Sequence, residues 1–238
     1  MINFNDYQAL TFDCYGTLID WESGILGAMK PILSAHGVEV DDREIIKYYS
    51  EFEPVIQQSG YIKYREVLKK VVQKFGDRFN FIPTATEIDS LPESLQNWQP
   101  FPDTIEALKL LKQKYKLVII SNVDDDLFAA TAKNLKVKFD EIITAEQAQS
   151  YKPSLNNFKL AFSRIGIPQE QILHVAASLY HDIVPARSLG LTTVWVNRNA
   201  EDSTHLPESS QPNLEVADLR SLNCFHIINS PISEQKYH

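Results

Sequence analysis

Hydrophobic positions along the chain follow two alternating patterns. Short runs at 8–13, 116–121, 139–144, 172–176, 192–196 and 214–217 are apolar at nearly every position. Such runs suit strands covered on both faces, as in a parallel sheet. Between them the spacing turns helical. Asp103 with Glu106 predicts a capping box ahead of Ala107, Leu108 and Leu111. Ser154 predicts a cap for a helix carrying Phe158, Ala161, Phe162 and Ile165 on one face. Asp182 precedes Pro185, which a first helical turn tolerates, and Gly190 predicts the stop. Strand and helix alternate from 103 to 196, which predicts a doubly wound α/β fold.

One stretch breaks this alternation. From 21 to 98 the pattern is helical only. Ile25, Leu26, Met29 and Leu33 mark a helix running to Gly37, with Pro31 expected to kink or split it. A second helix is predicted over 41–57. A third carries Tyr61, Tyr64, Val67, Leu68, Val71, Val72 and Phe75 and is expected to stop at Gly76. The expected organisation is a core of 1–20 and 99–238 interrupted by a helical cap, 21–98. The segment 199–213 is polar with two prolines and reads as a surface loop.

Composition narrows the class without naming an activity. The 238 residues are 44% hydrophobic, enough for a sizeable core in one domain or one domain with an insertion. Lys and Arg number 23 against 31 Asp and Glu, a net charge of −8, which argues against a general nucleic-acid or anionic-membrane surface. No window of about 18 apolar residues occurs, so no membrane span is expected. The first residues lack a basic segment followed by an apolar stretch, so secretion is not expected. Cys14 and Cys224 are too few for a disulfide framework or a cysteine zinc site and suit a reducing cytoplasm.

In open parallel sheets ligands bind beyond the carboxyl ends of the strands. The residues there are Asp13, Ser121 with Asn122, Lys152, and Ser178 with Asp182. Each alone has a structural explanation. Asp13 can be a nucleophile, a metal ligand or a helix cap. Ser121 and Asn122 suit a helix N-terminus, Lys152 a solvated surface and Asp182 a cap. Gly16 permits a tight loop whose amides can hold an anionic centre.

Taken together, FDCYGTLID around Asp13, VIISNVD around Ser121, SYKPS around Lys152 and ASLYHD around Ser178 and Asp182 resemble the haloacid dehalogenase superfamily over nearly the whole chain. The resemblance implies a Rossmann-like core with a helical cap inserted after the first motif. Phosphatases of that superfamily carry a second Asp where this chain has Tyr15, which cannot act as a general acid at neutral pH without a large shift. They also carry two acids four apart in the last motif, where this chain has Ser178 and Asp182. Asp13 and Asp182 beside Lys152 make a poor magnesium site.

The pattern instead resembles the metal-free L-2-haloacid dehalogenase (type II) branch. That resemblance implies attack by Asp13 on a substrate carbon and hydrolysis of the resulting ester, with no cofactor or metal. Lys152 would attract a small anionic carboxylate and favour ionised Asp13. Thr17, Ser121 and Asn122 would position the carboxylates and the leaving group, Asp182 with Ser178 would orient Lys152 or water, and Tyr15, Tyr48 and His181 would bind substrate. A homodimer is implied as well.

Several positions depart from the haloacid pattern. The dehalogenase Arg on the second cap segment has no clear counterpart, leaving Arg43, Lys47 or Tyr48 open. An aromatic hydroxyl is replaced by Phe158, an Asn by Leu179 and a Trp by His181. The FDCYGTLIDWE, SYKP and SLYHD segments are more similar to the azetidine-2-carboxylate hydrolase subgroup, which opens a strained imino-acid ring, and there His181 is a candidate proton donor. A phosphatase and an inactive binding protein stand as alternatives. Three further features read as structural: capping by Asp124, Asp125 and Asp126, a buried inert thiol at Cys14, and Arg198. The cap aromatics Trp21, Tyr48, Tyr49, Phe52, Tyr61 and Tyr64 suit either a pocket wall or a cap core.

Overall fold

The computed structural model describes residues 2–228. Six strands form one wholly parallel sheet: β1 Ala9–Phe12, β2 Lys116–Ser121, β3 Glu141–Thr144, β4 Ile172–Ala176, β5 Thr192–Val196 and β6 Leu214–Val216. Their order is β3-β2-β1-β4-β5-β6. The helices are α1 Trp21–Ala35, α2 Asp42–Gln58, α3 Tyr64–Phe79, α4 Ala85–Ser94, α5 Thr104–Leu111, α6 Asp125–Leu135, α7 Ala145–Ala148, α8 Leu155–Ile165, α9 Val184–Ser188 and α10 Leu219–Ile228. Among the described residues no helix is long and apolar enough to cross a membrane.

The continuous apolar runs are explained by two-sided burial. Side chains alternate across a strand. Leu10, Phe12, Leu117 and Ile119 face one core, while Ala9, Val118 and Ile120 face another with Phe158, Ala161 and Ile165 of α8. Neither face meets water, so no polar alternation is needed.

The chain leaves the sheet after β1 and makes four helices, α1 to α4, before returning at α5. These cap helices pack on Ile25, Met29, Val67, Leu68, Val71, Phe75 and Leu91. Pro31 does not split α1, which continues to Ala35; Ile25, Met29, Ile32 and Leu33 bury one face on both sides of the proline and hold the helix through it. Gly76 does not end α3. The helix runs to Phe79 and stops at Asn80, whose φ is 59°. A Cβ at Gly76 would lie 2.6 Å from the Phe81 carbonyl oxygen, so that glycine serves the close return of the chain. The fourth helix, α4, starts with a capping box between Thr84 and Glu87.

Asp103 is a third correction. It makes no side-chain bond to α5. Its carboxylate instead accepts from Arg198 and from the Leu219 amide, and Arg198 Nη2 also donates to the Thr17 carbonyl. Apart from the single 3-10 turn Glu208–Ser210, the segment 199–213 holds no helix or strand.

Candidate active site

β1 lies at the point where the strand order reverses, with β2 on one side and β4 on the other. Ligand crevices form at such points. Phe12 is level with Ile119 and with Val175, so Asp13 leaves the sheet level with Ile120 and Ala176, one residue short of Ser121 and Ala177. The Asp13 amide donates to the Val175 carbonyl at 3.2 Å, and this fixes the carboxylate above the sheet edge.

Lys152 is the centre of the site. Its side chain is 1% exposed, and Nζ donates to Asp13 Oδ1 at 2.9 Å, to Asp182 Oδ1 at 2.6 Å and to the Ile120 carbonyl at 2.8 Å. All three ammonium donors are used. Asn122 holds the backbone of this lysine, donating from Nδ2 to the Lys152 carbonyl and accepting the Lys152 amide at Oδ1. Thr17 Oγ1 donates to Asp13 Oδ2 at 2.9 Å and accepts from the Ala177 amide at 2.8 Å. Ser178 Oγ accepts from the His181 amide at 3.0 Å and lies 3.2 Å from His181 Nδ1. It is therefore Ser178 that caps the π turn Leu179–Ile183. Asp182, expected as a possible cap, is spent on Lys152 and on His174, whose Nε2 lies 3.2 Å from Oδ1.

The charges push the groups in different directions. Burial and the neighbouring Asp182 raise Asp13 above the ordinary carboxylate range, against the pull of Lys152. Burial would also raise Asp182, but Lys152 and His174 outweigh it and hold Asp182 low. Burial works against the Lys152 ammonium, yet its two carboxylates keep it above its usual value. Burial lowers His181, with Asp182 opposing. Burial pushes the Cys14 thiol well up.

Asp13, Tyr15, Ser121, Asn122, Lys152, Ser178, His181 and Asp182 line one cavity of about 230 Å³, and Thr17 stands behind Asp13. That volume is below the roughly 300–1,000 Å³ typical of drug-sized ligands, so it suits a small molecule. Ser121 Oγ is buried there without a partner. Tyr15 reaches Thr131 with its hydroxyl and meets Trp98 edge-on at 5.7 Å.

Tyr48 is the exception. It lies outside this cavity, stacked on Phe52 and hydrogen-bonded by Arg78 through its hydroxyl. Adjacent helical residues point about 100° apart, and the next residue, Tyr49, lines the wall instead. Arg43 and Lys47 are exposed and also absent from the lining, and among the described residues Lys152 is the one Lys or Arg that lines it. The cap contributes Trp21, Tyr49, Ser50, Glu53, Pro54, Tyr64 and Trp98. Sequence reasoning missed Glu53, Trp98 and the buried His174. The signal for His174 was a histidine inside the apolar run 172–176; Glu53 gave none.

Lys152 also tests the fit of a cation. Its ammonium occupies the space between Asp13 and Asp182 where a divalent ion would need both carboxylates. Among the described residues no group of three His, Cys, Asp or Glu is placed to hold a metal.

A family model described as haloacid dehalogenase-like hydrolase matches residues 7–190. The (S)-2-haloacid dehalogenase of Pseudomonas sp. (strain YL) is 25% identical over 223 residues, covering 91% of this chain and 94% of that protein. Haloacetate dehalogenase H-2 of Moraxella sp. (strain B) is 26% identical over 196 residues, covering 80% and 86%. The structure of the L-2-haloacid dehalogenase from Xanthobacter autotrophicus with chloropropionic acid covalently bound matches with a TM-score of 0.79 at 18% identity, over 93% of this chain and 98% of that one. At that identity the structural likeness speaks for the fold.

Proposed function

Since the chain belongs to the haloacid dehalogenase-like hydrolases, we propose that it is a metal-independent hydrolase acting at a saturated carbon of a small 2-substituted carboxylate, with Asp13 as nucleophile. The observation that carries this reading is the position of Lys152 Nζ, which holds Asp13 Oδ1 while Thr17 holds Oδ2. Both contacts come from the protein side, so the carboxylate is aimed and still opens on the cavity. A raised Asp13 is also the more basic and more nucleophilic oxygen once ionised.

In the first step an Asp13 oxygen bonds to the substrate carbon and the leaving group departs with the bonding electrons. In the second, water hydrolyses the ester and returns the Asp13 carboxylate. His181 lines the cavity and is kept neutral near pH 7 by its burial, so it takes the proton of that water. Ser121 Oγ, buried and unpartnered, hydrogen-bonds the substrate carboxylate or the leaving group. A halide and the amine of a strained ring both satisfy this scheme. The resemblance to the dehalogenases implies a homodimer, and the two lone cysteines suit a reducing cytoplasm.

The test is a single turnover in ¹⁸O-water with L-2-chloropropionate and with L-azetidine-2-carboxylate, in EDTA. Label on the Asp13 peptide, rather than in the first product, is expected. Turnover of p-nitrophenyl phosphate that requires Mg²⁺, with neither carboxylate consumed, would replace this reading with a phosphatase. No reaction with any of the three compounds would favour a binding protein.

A further inference from the structure

Glu53 brings a carboxylate to the cavity from the cap side. It lies on α2, accepts from Gln57 Nε2 at 2.6 Å, and is hydrogen-bonded by the Tyr64 hydroxyl, which is itself 2.9 Å from the Tyr49 hydroxyl. No Lys, Arg or His forms an ion pair with it among the described residues. Burial pushes its pKa from 4.5 up to about 7, against those hydrogen bonds. A desolvated carboxylate with no cation is costly. The wall around it is aromatic and uncharged, with Trp21 and Tyr49 at 5.4 Å and Trp98 edge-on to Tyr15. The one lysine of the cavity is already committed to Asp13, Asp182 and Ile120. The cap side therefore offers a departing anion no positive charge.

We propose that Glu53 is the leaving-group subsite, pairing with a protonated nitrogen of the substrate, so that the preferred substrate is a small carboxylate whose leaving atom is an ammonium nitrogen and not a halogen. This rests on Asp13 acting as the nucleophile. With L-azetidine-2-carboxylate as the probe, the Asp13 oxygen bonds to the ring carbon that bears the carboxylate as its bond to nitrogen breaks. The electron pair stays on nitrogen, and the ring ammonium becomes a neutral primary amine. Hydrolysis of the ester leaves a hydroxyl on that carbon and restores Asp13, and the proton released ends on the amine. Ionised Glu53 holds the nitrogen throughout. The titratable groups around Glu53 are Tyr49, Tyr64 and Tyr151, with Asp13, Lys152, His181 and Asp182 on the rest of the wall.

Binding and turnover are tested separately. In Asp13→Asn protein, calorimetry should show L-azetidine-2-carboxylate bound at least about tenfold more tightly than L-2-chloropropionate, and adding Glu53→Gln should erase that preference. In protein with Asp13 intact, Glu53→Gln should lower kcat/KM for the imino acid on the order of 100-fold and remove its rise through pH 7. Tighter binding of the haloacid, no measurable binding of the imino acid, or a ratio unchanged by Glu53→Gln would overturn the proposal. If no ester forms at Asp13 with either compound, the nucleophile assignment fails, while the calorimetric preference still decides what Glu53 recognises.

Discussion

Lys152 lies closer to Asp182 than to Asp13: its Nζ is 2.6 Å from Asp182 Oδ1 and 2.9 Å from Asp13 Oδ1. Asp182 is the anchor of the lysine, and Asp13 is the partner free to react. Lys152→Met would leave two buried carboxylates facing one another without a cation. We expect a loss of roughly 3–5 kcal/mol of stability at pH 7, read from urea denaturation. The loss should shrink at acid pH as the pair takes up a proton. A variant as stable as wild type at pH 7 would contradict the ion-pair account.

Asp124 connects the two parts of the fold. It is fully buried at the start of α6, yet its carboxylate accepts from the Tyr64 and Arg65 amides, the first two of α3. Lys63, which precedes that helix, supplies no cap. Asp126 adds an ion pair with Arg65 at 2.9 Å. Asp124→Ala would orphan two amides, at a cost of about 1–3 kcal/mol. Hydrogen exchange at Tyr64 and Arg65 should accelerate, while exchange in β1 and β4 should follow only the global stability. Unchanged exchange at those two amides would show that the carboxylate does not hold the cap helix.

The sheet and the strand-end residues were legible because burial on both faces writes itself into every position of a strand. All six predicted runs became strands; register brings the ends of β1 and β2 together at Asp13 and Ser121, and the connections after β3 and β4 bring Lys152 and Asp182 to them. The acidic run 124–126 was legible only as helix capping. Its role in docking α3 depends on a contact spanning 60 positions. Tyr48 and Tyr49 show the same limit. Both are aromatic and adjacent, and only packing of α2 decides that Tyr49 turns to the cavity and Tyr48 to Phe52 and Arg78. Glu53 looked like one more charge on an amphipathic helix, since nothing local reports that it turns toward the cavity.

Gly24 makes room for the wall of the cavity. A Cβ there would lie 2.5 Å from the Trp98 indole, well inside contact distance. Trp98 lines the cavity and is 4% exposed, tied by its indole nitrogen to Ser94. Gly24→Ala should displace the ring and cost about 1–3 kcal/mol through overpacking. It should also raise KM more than it lowers kcat, because Asp13 and Lys152 do not touch Trp98. Steady-state kinetics beside a melting curve test this, and a kcat defect at unchanged KM would count against it.

Glu53 makes stability depend on pH in a direction opposite to a salt-bridged acid. Its pKa is about 7 in the folded chain against 4.5 as the ordinary value. Between these two values the folded state binds the proton that the unfolded chain has lost, so stability falls as pH rises. The contribution is complete below pH 4.5 and gone above about 7. At about 1.36 kcal/mol per pKa unit, the shift corresponds to roughly 3 kcal/mol across that window. Asp13 is raised too and adds a fall of the same sign, so the wild-type curve alone does not isolate Glu53. Glu53→Gln does, since the amide keeps the shape and has no proton to lose. The difference between wild type and Glu53→Gln should therefore move by roughly 3 kcal/mol from pH 5 to pH 8, with the variant the more stable at the alkaline end. A ligand that brings its own ammonium should flatten the wild-type fall, because an ion pair then replaces the proton. A difference that stays constant with pH would mean that Glu53 is solvated in the folded chain and carries no shifted proton.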